Sequence, residues 1–527
     1  MPDVELILLL MVAVAAIATA ARALRVPYPI LLVLGGLALA LTPALPHVVL
    51  APDLVFLLFL PPLIYIAGFE TSPRDIHAQL GHILSLAVAL VLASTLVVGV
   101  VAHTLLPEFG WPAAFALGAL LAATDAVAAT ALLRDIGAPR RVVTLLESES
   151  LFNDATALVA YVAALEAVAQ ARFSITEAGA RLVLAGVGGI LAGLLVGWAV
   201  VWLRGHLHDA SVEIMVSLLT PFAAYIPAER SGVSGVLAAA TAGVFVGWFA
   251  PTIMDSNTRL RGRAVWEFLV FGLNGVAFIL IGLQLSTVAA EDPVRSIWEL
   301  MAITGVIALT VIVVRFGWVF SAAGVVALNR RARQLPAVES SWQDCVLVSW
   351  AGLRGVVSLA AALALPLDLP GRQVFLFITF GVILVTLVGQ GLSLPLVVRL
   401  LRIHDDGTEL RDEAHARTIA AEAAVARIED LAHKWPGHLP LIDALRKQYE
   451  HRASHLEEAT DAAVGDGRLL GSPEAEQELL EHRLIRRAVI DAEREAVLHQ
   501  RASGTIGDEI WRRIERDLDL EELRMEA

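Results

Sequence analysis

Along the first four hundred positions apolar residues come in long runs, not in alternation. A run of about eighteen or more such residues crosses roughly 30 Å of hydrocarbon as a helix. The candidate spans are 3–23, 27–43, 50–70, 83–105, 112–133, 143–170, 181–203, 212–227, 232–250, 264–286, 299–322, 342–365 and 374–400. Only short polar breaks separate these thirteen, which is not the pattern of core helices in a large soluble protein. The expected fold is an all-α polytopic membrane protein. After Ile403 the pattern changes. His404-Asp405-Asp406-Gly407 opens a polar region with helical stretches at 411–434 and 474–501, divided by Gly and Pro near 436–440 and 465–473. Residues 1–402 are therefore read as a transmembrane domain, and 403–527 as a helical, acidic cytoplasmic domain with regulation as its candidate role.

Composition agrees with this division. The chain is 57% hydrophobic and 17% charged, against about a quarter charged in soluble domains. Of the net charge of −14, most lies after Ile403, where 29 acidic residues face 17 basic ones. The membrane part contains no lysine. Eight of the fourteen histidines lie in the tail, and they read as surface residues of an acidic domain before they read as a pH sensor. Cys345 is the single cysteine, so no disulfide forms within the chain. The N-terminal segment opens with Asp3 and Glu5 where a signal peptide would be basic, so it is read as the first span.

Arginine sets the orientation. One set of loops holds fifteen arginines and the alternate set five. The positive-inside bias puts the tail in the cytoplasm and the N-terminus outside. Thirteen spans divide as six, one and six, and two six-helix units arranged this way have opposite topology, an inverted repeat. Span seven carries Gly189, Gly193 and Gly197 at every fourth position, which lets a neighbouring backbone approach closely.

Carboxylates deep in a span are costly and mark function. Asp154 lies in the middle of span six, in Glu147-Ser148-Glu149-Ser150-Leu151-Phe152-Asn153-Asp154. Helical spacing puts Ser150 and Glu147 on its face and pairs Glu149 with Asn153 on an adjoining one. Hydroxyl and carboxylate oxygens are what a hard cation accepts. Asp125 follows Thr124 in span five at a similar depth, where it either lines the site or caps a half-helix. Glu70 ends span three near the cytoplasmic boundary, where a solvated helix-end charge is an equal reading. Glu267 and Asp209 are weaker cases. Arg315 and Arg354 lie inside spans eleven and twelve and each needs an anionic partner or carbonyl oxygens. Glycines flank Arg354 in Gly352-Leu353-Arg354-Gly355, which suggests an interrupted helix or a close backbone approach. By depth Glu149 is the expected partner of Arg354. Asn274 and Gln284 read as interhelical hydrogen bonders.

Glu149-Ser150-Leu151-Phe152-Asn153-Asp154, Thr124-Asp125 and Gly352-Leu353-Arg354-Gly355, on thirteen spans, resemble the monovalent cation:proton antiporter-1 family, the sodium/proton exchangers. The resemblance implies a dimer in which spans five and twelve are interrupted and cross near the midplane. It implies that Asp154 is the cation and proton carboxylate, with Ser150, Thr124 and Glu70 as further ligands. Asp125 would shape the crossing, and Glu149 with Arg354 would form an internal ion pair to which Asn153 is bonded. The Asn153-Asp154 pair resembles the electroneutral exchangers, since the electrogenic relatives carry two consecutive aspartates.

The expected activity is exchange of Na+ for H+, one for one, at a plasma membrane, with both ions competing for Asp154 and no cofactor. A potassium-preferring exchanger of the same fold is the alternative. A passive cation channel would conduct under voltage without a pH gradient, and a membrane-anchored regulator would lose its function with the tail. An enzyme is not expected, because the membrane part holds no metal-ligand cluster, phosphate loop or nucleophile motif.

Overall fold

The computed structural model describes residues 2–24, 27–40, 52–71, 73–170, 175–290, 296–332, 341–363, 371–403, 408–447 and 490–497, with isolated positions besides. The chain divides into two compact units, Met1–His404 and Asp405–Ala527. Nearly all of the described residues are helical.

The first unit begins with α1 (Pro2–Leu24), α2 (Tyr28–Ala40) and α3 (Pro52–Glu70). α4 (Pro73–Leu84) continues through a π-helical turn, Ser85–Leu90, into α5 (Val91–Leu105). α6 (Trp111–Ala122) and α7 (Ala126–Asp135) precede the long α8 (Arg140–Gln170) and α9 (Ile175–Arg204). α10 (Ala210–Arg230), α11 (Gly235–Ile253), α12 (Ser256–Ala290) and α13 (Ile297–Ala332) follow. Two short helices, α14 (Trp342–Trp350) and α15 (Val356–Leu363), lead to α16 (Arg372–Leu384). A second π turn, Val385–Gln390, joins α16 to α17 (Gly391–Leu401). Among the described residues, eight helical stretches are long and apolar enough to cross a membrane, with shorter apolar helices beside them.

The observed helices overrun several expected spans. α12 and α13 extend well beyond 264–286 and 299–322, and the helix expected from 83 already starts at Pro73. The apolar stretch marks what meets lipid, whereas the helix ends where its free N–H groups find an acceptor. Asp255 shows this ahead of α12: its carboxylate accepts from the Thr258 N–H at 2.7 Å. These hydrogen bonds hold its pKa below the usual carboxylate value. Asp209, considered above as a weak site candidate, caps α10 by accepting from the Ser211 and Val212 N–H groups.

Close packing runs along small residues, as in membrane helix pairs generally. α9 lies against α11 along the glycine stripe: a Cβ on Gly193 would meet the Ala238 carbonyl, and one on Gly197 would meet Phe245. α2 lies against α12 with Gly36 and Gly282 at the contact. In the second unit, α18 (Thr408–Lys434) covers the helix expected at 411–434, and a short 3-10 turn, Pro436–His438, follows it. Of the stretch expected at 474–501, residues 474–489 lie outside the described residues.

Candidate cation site

Two breaks in the chain meet inside the first unit. α6 stops at Ala122 and α7 resumes at Ala126, while α14 stops at Trp350 and α15 resumes at Val356. The Asp125 N–H donates to the Leu353 carbonyl at 2.8 Å, which ties one break to the other. The Val356 N–H approaches Asp125 Oδ2 at 3.4 Å, so this carboxylate stands at the N-terminus of α15, where negative charge is favoured. Ser358 Oγ donates to the Leu120 carbonyl at 2.9 Å. The two glycines are explained by what occupies their missing side chains. A Cβ on Gly355 would fall on the Asp125 carboxylate, and one on Gly352 would fall on the Arg315 side chain.

α8 passes this crossing and presents its polar residues to it. Ser150 Oγ donates to the Thr124 carbonyl at 2.9 Å. Asn153 Nδ2 donates to the Thr124 hydroxyl, and that hydroxyl points on to Glu149 Oε1 at 3.5 Å. Glu149 is gripped by Arg315 through both carboxylate oxygens, at 2.5 and 2.9 Å. Arg315 Nε donates to the Val348 carbonyl at 3.1 Å. Both partners are buried. Bidentate geometry of this kind gives a charged pair its best compensation for lost water. Asp154 is also buried, 7% exposed, yet its Oδ1 has no hydrogen-bond partner among the described residues. The charged side chains that act on it are Asp125 and Arg354.

The expected pair of Glu149 with Arg354 is replaced by Glu149 with Arg315. The glycine at 352 leaves room for Arg315 to reach Glu149 from α13. Arg354 instead lies in the break, where its N–H donates to Thr386 Oγ1 and its Nη1 to the Gly352 carbonyl, each at 3.3 Å. Its Nε has no partner among the described residues. Asn153 is joined to the pair only through the Thr124 hydroxyl. Thr386 belongs to the second π turn, and Ser85 of the first accepts from Trp318 Nε1 at 3.2 Å. Both turns thus offer a hydroxyl to another segment, a role often found for π turns at functional sites.

Thr124, Asp125, Glu149, Ser150, Asn153 and Asp154 are therefore brought together, with Arg315 added. Glu70 is exposed at the end of α3, and its charged neighbours are Arg134, Arg263 and Glu267. No hydrogen bond joins it to the Asp154 cluster among the described residues. Glu147 pairs with Arg134 at 2.5 Å, and Glu267 with Arg263 at 2.9 Å on the surface. Asn274 is buried as expected of a hydrogen bonder, but its Nδ2 has no partner among the described residues. The Gln284 side chain lies outside them. A second buried pair, Arg204 with Glu213 at 3.5 Å, joins the end of α9 to α10 and was not foreseen. Its one sequence signal is a glutamate in the first turn of an apolar helix.

The transmembrane sodium/hydrogen exchanger family matches residues 9–400 of this sequence. The chain belongs to that family. It is 35% identical over 516 residues to an uncharacterized Na+/H+ exchanger of Mycobacterium tuberculosis, covering 95% of this chain and 92% of the relative. It is 34% identical over 412 residues to a Na+/H+ antiporter of Aphanothece halophytica, covering 78% and 75%. A sodium, potassium, lithium and rubidium/H+ antiporter of Bacillus pumilus is 34% identical over 391 residues, covering 71% of this chain and 58% of the relative. In fold, the exchanger unit resembles the sodium/proton antiporter MjNhaP1 from Methanocaldococcus jannaschii. The TM-score is 0.59 at 18% identity, over 76% of this chain and 98% of that one. The chain is a multi-pass exchanger, and cation/proton antiport is the activity class its family carries.

Proposed function

We propose that this exchanger moves one Na+ against one H+ by alternating access, with both ions competing for Asp154. The observation that carries the reading is the contrast within one helix. Glu149 is neutralised by Arg315, while Asp154, five residues on, is buried with an oxygen that has no hydrogen-bond partner among the described residues. A buried charge of this kind is retained for a purpose. A proton or a dehydrated cation neutralises it, not both at once, and coupling follows from that exclusion. The ionised, empty site is held back by the cost of carrying charge through low dielectric.

The cation's other ligands would be oxygens the crossing leaves available. The Thr124 carbonyl accepts from Ser150 and carries a second lone pair, and the Ser150 hydroxyl beside it is an oxygen of the kind a hard cation takes. Asp125 holds the N-terminal end of α15 in place beside them. Glu70, at the end of α3, is assigned to a ligand position reached when the exchanger changes conformation.

The wider arrangement we adopt has thirteen spans in two inverted six-helix repeats and a homodimer in the plasma membrane. The N-terminus lies outside, and residues 403–527 form a cytoplasmic regulatory domain. Arginine distribution supports the orientation, and the crossing of two interrupted spans supports the repeat. The exchanger would serve sodium export and pH homeostasis. Potassium is the second reading, favoured by the breadth of cations named for the Bacillus pumilus relative.

Exchange by purified protein in proteoliposomes tests this. Asp154→Asn is expected to abolish pH-gradient-driven Na+ uptake while the protein melts as wild type does; undiminished exchange would sink the assignment. Where the site is ionised, competition also predicts that the apparent KM for Na+ is nearly independent of pH. Below the carboxyl pKa the KM should rise about tenfold for each unit the pH falls, as one bound proton excludes one Na+. A KM that stays flat across the whole range would exclude a shared carboxylate.

A further inference from the structure

The face of α8 that carries Ser150 and Asp154 continues, at helical spacing, to Ala157, Leu158 and Tyr161. Exposure falls from Glu147 to Asp154 and stays low at Ala157 and Tyr161, with Leu158 between them half-buried. The Glu147 side chain is 34% exposed, Ser150 is half-buried, Asp154 is 7% exposed, and Ala157 and Tyr161 are 3% exposed. Approach to Asp154 is therefore graded open from the Arg140 end of α8 and shut from the Gln170 end. On the shut side a narrow pocket lies between α6, α8 and α15, walled largely by Ala119, Ala123, Ala157 and Ala361. Its two polar side chains are tied to backbone. Ser358 bonds to the Leu120 carbonyl, and Tyr161 donates from its hydroxyl to the Ala361 carbonyl at 2.8 Å.

We propose that this pocket is the stretch of ion path between Asp154 and the membrane face at the Gln170 end of α8, and that Tyr161 is its gate, shut here on Ala361. The inference rests on the exchange mechanism above, because an alternating carrier needs a route to one carboxylate from each face. The Arg140-end route follows this face of α8, and beyond Asp154 its continuation runs into the pocket walled by Ala119, Ala123, Ala157 and Ala361. The gate closes with a single hydrogen bond between neutral groups, an interaction weak enough to be broken in every cycle. The bond joins α8 to α15, one of the four half-helices that form the crossing, so a shift at the crossing is transmitted to it. The competing role is structural. Arg372 already donates to the Leu363 and Leu365 carbonyls at 3.2 and 3.1 Å, and in that role Tyr161 is a third donor satisfying the end of α15.

Cysteine accessibility separates the two. In a Cys345→Ser background, Ala157→Cys is exposed to a membrane-impermeant methanethiosulfonate in right-side-out and inverted vesicles. Na+/H+ exchange is measured on the same preparations. Labelling is expected from the Gln170-end face during turnover. Adding Tyr161→Phe is expected to raise the labelling rate several-fold and to raise the apparent KM for Na+ at the opposite face. Labelling from neither face, or only from the Arg140-end face, overturns the path while exchange in the same vesicles leaves the antiport reading standing. Absence of Na+/H+ exchange by the wild-type protein in the same vesicles would strike that reading instead. Labelling that ignores Tyr161→Phe overturns the gate and leaves Tyr161 as a cap of α15. If Tyr161→Phe does not fold, Ala119→Leu fills the pocket; it is expected to stop exchange and protect position 157, and undiminished exchange overturns the proposal.

Discussion

Two carboxylates on α8, five residues apart, are treated in opposite ways. Glu149 receives two guanidinium nitrogens, and Arg315 is held in turn by the Val348 carbonyl. Asp154, also buried, is left with an oxygen that nothing in the described protein satisfies. The first arrangement spends a buried charge on rigidity. The second keeps a charge ready for an ion that comes and goes. Burial alone therefore does not tell a structural carboxylate from a working one; the saturation of its oxygens does.

The contrast can be attacked from either side. The largest expected effect on stability is Arg315→Ala, which strands Glu149 without its partner and should cost about 3–5 kcal/mol, seen as a large fall in melting temperature in detergent. Replacing both partners, Arg315→Met with Glu149→Leu, should recover most of it; failure to recover would mean that Arg315 acts beyond the pair. Gly355→Ala comes next. Its methyl group would collide with the Asp125 carboxylate, and overpacking of this kind costs about 1–3 kcal/mol. Exchange should fall with stability, and wild-type melting would refute the close approach. Thr124→Val removes a hydroxyl that links Asn153 to Glu149 but spares the carbonyl. A loss of about 1 kcal/mol is expected, with little change in the KM for Na+. Ser150→Ala is expected to leave melting within about 0.5 kcal/mol and to raise that KM several-fold. A reversed order of KM effects would transfer the ligand role from the carbonyl to the Thr124 hydroxyl.

Much of this was legible in the chain. Long apolar runs gave the helices, because lipid demands that every backbone group be satisfied within its own segment. Rare polar residues within those runs pointed to Thr124, Asp125, Glu149, Ser150, Asn153 and Asp154, and the structure gathers all six. Partner choice was not legible. Arg315 and Arg354 are both guanidinium groups inside spans, and depth along a helix does not say which one reaches sideways to Glu149. Gly352 held the answer, but a glycine's empty space has meaning only once its neighbour is known. Tyr161 escaped for a similar reason: a tyrosine in an apolar helix carries no signal until its hydroxyl is seen to find a carbonyl 200 positions away.

The hydrogen bond from Asp125 to Leu353 has a consequence for biogenesis. α6 and α7 are each too short to span a bilayer alone, and the Asp125 N–H in the break between them acquires its acceptor only when residue 353 has been made. During synthesis the first half of the protein must therefore wait in the membrane with that N–H short of its acceptor, the break held by the bonds from Ser150 and Asn153 to Thr124. A nascent chain halted near residue 340 should be open to proteolysis between Ala122 and Ala126, and protection there should arrive abruptly once α14 and α15 have entered.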